Sequence, residues 1–295
     1  WAISTTYEGE FRAFKFSSIS ESPFSAVTTS TEMHGKWESS TSKSEYLSYV
    51  EKIREEIASG GVYQVNACRR LSIKSPATLD LAFSNILKSN PAPFASYLRT
   101  EELEIASASP ELFLSRNGST VKSSPIKGTQ HNHVQNFGAK DQAENVMIVD
   151  LMRNDLGQIC KSGTVEVPRL LSSEEHPGLQ HLVSDVQGEL LDDISWSKIF
   201  SALSPPGSVS GAPKSSATQV IGANEIARGP YCGALGWVEG NQAVLSVAIR
   251  TFWKDQGINF GTGAGITWGC RADAEWEETQ LKARRLISIA GGELL

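Results

Sequence analysis

The chain has 295 residues, 40% of them hydrophobic and 20% charged, which is enough to bury a full core as one large domain or two fused halves. A net charge of −6 argues against a general nucleic-acid binder, while local arginines and lysines leave a small anionic substrate open. No apolar run is long enough to cross a bilayer, no secretory signal is evident, and the cysteines at 68, 160, 232 and 270 lack CxxC spacing, so a reducing cytoplasm is expected and zinc is not. Trp1 is not an initiator methionine, so a longer reading frame or trimming is expected.

Residues 1–35 alternate loosely, as in Phe11-Arg12-Ala13-Phe14, and read as strands with turns near Gly9 and Pro23. Ser44 is the expected cap of a helix to about Ala58, in which Tyr46, Val50, Ile53 and Ile57 form one apolar stripe ended by Gly60-Gly61. A strand over 62–66 and a helix over 77–89 follow, then short strands at 95–98, 103–108, 112–115 and 119–123 that resemble a meander. A helix is expected over 138–153, with strands at 163–167 and 179–189. Helices are expected at 196–203 and 213–226, the second opened by Pro213. Strands at 231–238 and 243–251, a glycine-dense loop at 261–269 and a helix over 274–290 complete the pattern. Strands come in runs with helices interspersed, there is no nucleotide-binding glycine signature, and composition marks no domain boundary.

Pro125-Ile126-Lys127-Gly128-Thr129 holds a lysine between proline and glycine, on stiff backbone suited to a positioned amine. That amine is a nucleophile only when neutral; burial and nearby cations favour the neutral form and carboxylates oppose it. Asp141 with Glu144, and Glu275 with Glu278, sit three apart and share a helix face, with Lys282 four beyond Glu278. Four hard oxygen donors suit Mg²⁺, although the same spacing serves solvated helix faces. Val146 to Val149 beside Glu144 reads as buried, which makes solvation of that carboxylate harder. Gly261-Thr262-Gly263-Ala264-Gly265 reads as a carboxylate nest or a plain turn, and Gly207 to Lys214 as an anion site ahead of a helix. Arg250 ends an apolar strand, where it forks a carboxylate or decorates the surface. His181 is a proton carrier near neutrality or a structural histidine.

Taken in order, these segments resemble the chorismate-utilising enzymes: anthranilate synthase large subunit, aminodeoxychorismate synthase component I, isochorismate synthase and salicylate synthase. The resemblance runs from about Tyr63 to Leu286. It rests on Ser109-Pro110-Glu111, Pro125 to Thr129, Ala143 to Asp155, His181 to Ser184, Gly211-Ala212-Pro213-Lys214, Arg228 to Gly233, Ile249-Arg250-Thr251 and Glu275 to Thr279. It implies an α+β fold with a large antiparallel β core flanked by helices. One chorismate-binding catalytic domain would span 1–295, with 1–43 a remnant of the family's amino-terminal portion.

The resemblance also implies roles. Glu144 and Glu278 would ligate Mg²⁺ directly, with Asp141 and Glu275 holding its water shell. Arg250 and Tyr231 would grip the enolpyruvyl carboxylate of chorismate. Lys282 and the backbone of Gly263, Ala264 and Gly265 would help hold the carboxylates, with Thr129 and Ser210 as further substrate contacts and His181 close to the ring. Lysine in this PIKGT motif marks the aminodeoxychorismate branch, where the anthranilate branch has alanine, so Lys127 would attack C2 while Glu111 protonates the departing C4 hydroxyl. The water-adding members carry lysine where this chain has Gln64, which disfavours isochorismate or salicylate formation. The expected activity is that of aminodeoxychorismate synthase component I, feeding 4-aminobenzoate and folate. Ammonia would come from a separate glutamine amidotransferase. Anthranilate synthase and a non-catalytic scaffold that binds an amidotransferase are the rivals. Gln130-His131-Asn132 and Trp268-Gly269-Cys270 depart from the family pattern, and tryptophan feedback is not expected.

Overall fold

The computed structural model describes residues 1–26, 30–131, 137–176 and 179–294; Asn132 of the first departure lies outside them. In chain order, β1 (Ala2–Thr5), β2 (Phe11–Phe14) and β3 (Met33–Ser39) precede α1 (Lys43–Ala58), β4 (Gln64–Ile73) and α2 (Leu79–Ser89). Next come β5 (Phe94–Arg99), β6 (Glu104–Ser109), β7 (Leu112–Asn117), β8 (Thr120–Ser124), β9 (Ile126–His131) and α3 (Ala139–Gly157). The hairpin β10 (Glu166–His176) and β11 (Leu179–Glu189) leads to α4 (Trp196–Leu203), a 3-10 turn (Gly207–Val209), β12 (Gly211–Ala212) and α5 (Lys214–Asn224). The chain closes with β13 (Ala234–Glu239), β14 (Gln242–Val247), β15 (Thr251–Lys254), β16 (Ile258–Ile266), α6 (Ala272–Ala290) and β17 (Gly291–Leu294).

These strands form two sheets. One runs β10-β11-β8-β7-β14-β13-β1-β2, with β9 also on β11; the other runs β17-β3-β4-β16-β15-β6-β5, with β12 also on β4. All pairings are antiparallel except that of β17 with β3. Alternation along β15 shows how the second sheet is buried on both faces. Trp253 joins the core shared with the other sheet, while Phe252 joins a separate core under α2 and α6. The α+β class and the antiparallel core are as expected.

Three expectations need correcting. Ser42, not Ser44, caps α1: its hydroxyl accepts from Glu45 N–H while the Glu45 carboxylate accepts from Ser42 N–H, a reciprocal pair that Ser44 cannot make. The supposed meander divides, because β5 and β6 pair in one sheet and β7 and β8 in the other. Pro110 lies at the crossing, where a residue with no N–H cannot extend a ladder. Most of the glycine-dense loop, up to Ile266, is instead the end of strand β16, which pairs with β4 along its whole length, and only 267–269 form a turn. Its glycines serve packing, since a Cβ at Gly261 would lie 2.0 Å from the Tyr231 ring and one at Gly263 would lie 2.5 Å from Cys68 Sγ.

Candidate active site

Pro125 interrupts what would otherwise be one long strand, so that β8 and β9 pair with successive parts of β11. Thr129 faces His181 and Ile126 faces Val183, which leaves one extra residue on β9 between them. Gly128 takes up this bulge with φ +87°. The bulge re-aims Lys127, whose Nζ donates to the carbonyl oxygen of Ser208 at 2.8 Å. Burial pushes the Lys127 pKa down and Lys282 adds to this, while Glu111, Glu144 and Glu278 oppose it.

Glu111 sits just past the crossing between sheets, held there because Val247 N–H donates to its carbonyl and Ser109 Oγ donates to Val247 O. Its side chain is 4% exposed. Burial lifts its carboxyl to about 7, against the Ser208 hydroxyl, the Lys127 charge, the Ile126 N–H and the Arg250 charge. Ser208 therefore bears on both groups: its carbonyl accepts from the amine, and its hydroxyl is among the groups that favour the Glu111 carboxylate. Nothing in the sequence singled it out; the only signal was its place in Gly207-Ser208-Val209-Ser210-Gly211, read as an anion nest. Here a carbonyl of that segment accepts from an amine.

Arg250 does not end a strand: the expected strand at 243–251 breaks after Val247, and Arg250 lies between β14 and β15 with φ +52°; burial lowers its pKa while Glu111 opposes the shift. Tyr231 is buried with its ring over Gly261, and its hydroxyl lies 4.0 Å from Cys68 Sγ. It lines a cavity of about 400 Å³ with Tyr46, Tyr49 and Arg70. Ser210 is fully buried, its hydroxyl donating to Pro206 O at 2.7 Å. Neither Tyr231 nor Ser210 has a described contact with Lys127. His181 is 1% exposed, with Nδ1 2.8 Å from Thr129 Oγ1 across the β9–β11 ladder.

The acidic residues meet where α3 and α6 converge. Lys140 stands between them, 3.8 Å from Glu144 Oε1 and 4.0 Å from Glu275 Oε1, and it donates to Cys270 Sγ at 3.7 Å. Cys270, one of the departures, thus belongs to this cluster; Trp268 is exposed. Lys282 pairs with Glu278 at 2.6 Å and donates to Gly263 O at 3.0 Å. Burial raises the pKa of Glu144 against Lys127 and Lys140, with Asp141 and Glu278 adding to the rise. Burial also raises that of Glu275. Burial opposes the lowering of Glu278, but Lys282 outweighs it. The Val146–Val149 run is only partly buried: Ile148 and Val149 are buried and Val146 is 42% exposed, because four successive helical residues cannot share one face. Asn145 does the anchoring instead. It donates to Leu182 O at 3.1 Å and accepts from Ser184 Oγ at 2.5 Å, tying α3 to β11.

Among the described residues, no three His, Cys, Asp or Glu side chains are gathered closely enough to hold a metal as they stand. The donor set nevertheless fits a hard divalent cation. Glu144 Oε1 is buried without a hydrogen-bond partner, and the Lys140 ammonium supplies positive charge among the carboxylates. Gln64 opens β4, beside Gly265 of β16. It is 2% exposed, neither side-chain amide atom has a hydrogen-bond partner, and a Cβ on Gly265 would lie 2.5 Å from its Nε2.

The model of the chorismate binding enzyme family matches residues 8–288. The chain belongs to this family. Aminodeoxychorismate synthase component 1 of Escherichia coli (strain K12) is 36% identical over 266 residues, covering 85% of this chain and 58% of the relative. Anthranilate synthase component 1 of Saccharolobus solfataricus is 34% identical over 270 residues, covering 86% and 64%. A solved anthranilate synthase component I from Streptococcus pneumoniae TIGR4 superposes with a TM-score of 0.77 at 30% identity, covering 85% of this chain and 59% of that one. This chorismate-binding enzyme thus spans 58 to 64% of the length of the two curated relatives. No helix among the described residues is long and apolar enough to cross a membrane.

Proposed function

We propose that this chorismate-binding enzyme is an aminodeoxychorismate synthase component, converting chorismate and ammonia to 4-amino-4-deoxychorismate. The observation that carries the reading is the half-buried Lys127 amine, depressed in pKa and bonded to Ser208 O, near a buried acid lifted to about 7. A neutral amine is a nucleophile and a protonated carboxyl is a general acid, and this pocket favours both forms. In the proposed sequence Lys127 forms a bond to C2, the ring double bond shifts, and the C4 hydroxyl leaves as water with the Glu111 proton. The new ammonium returns a proton to Glu111. Ammonia then bonds to C4, the double bond shifts back, and Lys127 departs from C2 with the Glu111 proton; the C4 ammonium gives a proton back to Glu111, so the enzyme is regenerated.

Arg250, Tyr231 and Lys282, with the backbone at Gly263, Ala264 and Gly265, would hold the carboxylates, with Thr129, Ser210 and His181 as further contacts. Glu144 and Glu278 would hold Mg²⁺, with Asp141 and Glu275 around its waters. The ion would offset carboxylate charge and orient the ring. The component 1 relatives point to a partner that supplies ammonia, proposed to be a glutamine amidotransferase. A cytoplasmic setting and a role in 4-aminobenzoate and folate synthesis belong to the same proposal. Anthranilate synthesis is the second reading, favoured by the 34% identical relative and opposed by Lys127. The deciding experiment incubates the chain with chorismate, Mg²⁺ and an ammonium salt and locates the new nitrogen by NMR. Nitrogen at C4 supports the reading; direct release of anthranilate and pyruvate overturns it.

A further inference from the structure

Lys214 opens α5, and its Nζ lies 2.5 Å from Asp155 Oδ2 near the far end of α3, with side-chain exposures of 16% and 3%. The same ammonium donates to Leu203 O at 3.2 Å and to Ala202 O at 3.4 Å, the last carbonyls of α4. The ammonium thus donates to two carbonyls of α4 and stands in ion-pair contact with α3, where Asp155 Oδ2 makes no hydrogen bond of its own. Between the ends that it ties runs the 204–213 segment, which carries Ser208. This segment is seated hard on α3, since a Cβ at Gly207 would meet Leu151 Cδ2 at 2.5 Å. The other half of α3 bears Asp141 and Glu144.

We propose that the buried Asp155–Lys214 pair is a positioning element for the reaction: it fixes the 204–213 segment against α3, so that Ser208 holds the Lys127 amine and the Glu111 carboxyl in one geometry. The assignment rests on the function proposed above. A buried ion pair is weak evidence for stability, because a well-packed apolar pair of similar volume is often as stable. What the charge pair supplies is direction. The ammonium must reach a carboxylate on one helix and two carbonyls on another, and that fixes the span between them. A shift of about 1 Å in such a span costs on the order of 100-fold in rate, because the reacting groups then miss their line of attack.

The test compares wild type with Lys214→Met, Lys214→Arg and Asp155→Asn/Lys214→Met, in ammonia-dependent turnover of chorismate with Mg²⁺. Thermal unfolding of each protein is recorded alongside. Lys214→Met fills similar volume without charge. It is expected to fold, to keep KM for chorismate within roughly threefold, and to lose on the order of 100-fold in kcat. Lys214→Arg, which keeps the charge and the donors, is expected to recover most of that loss. A folded Lys214→Met with wild-type kcat, or one whose loss lies in KM, overturns the assignment. If both Met-bearing variants fail to fold, the pair is a stability element and the assignment is overturned as well. A wild-type chain with no turnover overturns the reading of the site itself, and this assignment with it.

Discussion

Lys127 and Glu111 carry opposite demands side by side, and each demand has its own measurement. Lys127→Ala is expected to abolish formation of the C4 amine while leaving chorismate binding within a few fold. Calorimetric titration of chorismate and mass spectrometry of products would check both halves, and a variant still making the C4 amine removes the covalent role. Glu111→Gln is expected to lower kcat on the order of 1,000-fold, the scale of a lost general acid. The same substitution tests the buried charge through stability. The Glu111 carboxyl is lifted from its ordinary 4.5 to about 7, so the folded chain holds this proton more tightly than the unfolded one. Below pH 4.5 both states keep the proton and the shift costs nothing. As pH rises from there to about 7, the unfolded state alone releases it and the folded state loses relative stability; above 7 the full cost remains. Glu111→Gln is therefore expected to be more stable than wild type by up to about 3 kcal/mol at pH 8, with the gain vanishing near pH 4. Urea denaturation at the two pH values decides this.

At the scale of the element, the bulge at Lys127-Gly128 is the sensitive joint. Gly128 sits at φ +87°, and a Cβ there would lie 3.0 Å from both Asp141 Cβ and Phe137 Cδ1. Gly128→Ala is expected to cost at least about 1 kcal/mol from backbone strain, and to cut kcat by roughly 100-fold because Lys127 swings with the bulge. Unchanged kinetics in a folded variant would count against the bulge as the device that aims the amine. Much of this was legible beforehand. Helices over α3, α4, α5 and α6 and a strand over β11 were legible between proline and glycine boundaries, and the motif around Lys127 drew the eye to a residue beside the buried Glu111. The rest was not, for identifiable reasons. Glycines at 261, 263 and 265 look like a loop to any local reading, and only the ring of Tyr231, the sulfur of Cys68 and the amide of Gln64 explain them as a strand. The crossing at Pro110 depends on which sheet each hairpin joins, a long-range fact. Ser208, Lys140 and Asn145 work through contacts with residues 37 to 135 positions away, and residue type alone carries no trace of that.

Across the whole molecule, two helices far apart in sequence bring carboxylates together around one lysine. Burial of these carboxylates is a standing cost, and their mutual repulsion adds to it, as the raised pKa values of Glu144 and Glu275 show. Lys140 offsets part of it from 3.8 and 4.0 Å, at the edge of ion-pair range. A small dication among these oxygens would do so better, and would bridge α3 to α6 in the folded state only. Binding confined to the folded state raises stability with ligand concentration, by about 2.7 kcal/mol at 100 times the dissociation constant. For a chain of this size that is roughly 5 °C in unfolding temperature. Mg²⁺ without substrate is therefore expected to raise the unfolding temperature of wild type, and EDTA to reverse the rise. Glu144→Gln with Glu278→Gln should abolish the increment, since those carboxylates would be the direct ligands. Lys140→Met separates this account from general ionic screening. With the competing ammonium gone, the midpoint of the Mg²⁺ titration should fall to lower concentration, whereas screening predicts no change in midpoint and an equal effect of NaCl at matched ionic strength. Equal shifts with NaCl, or a midpoint indifferent to Lys140, would leave the acidic cluster as a lysine-bridged contact between α3 and α6.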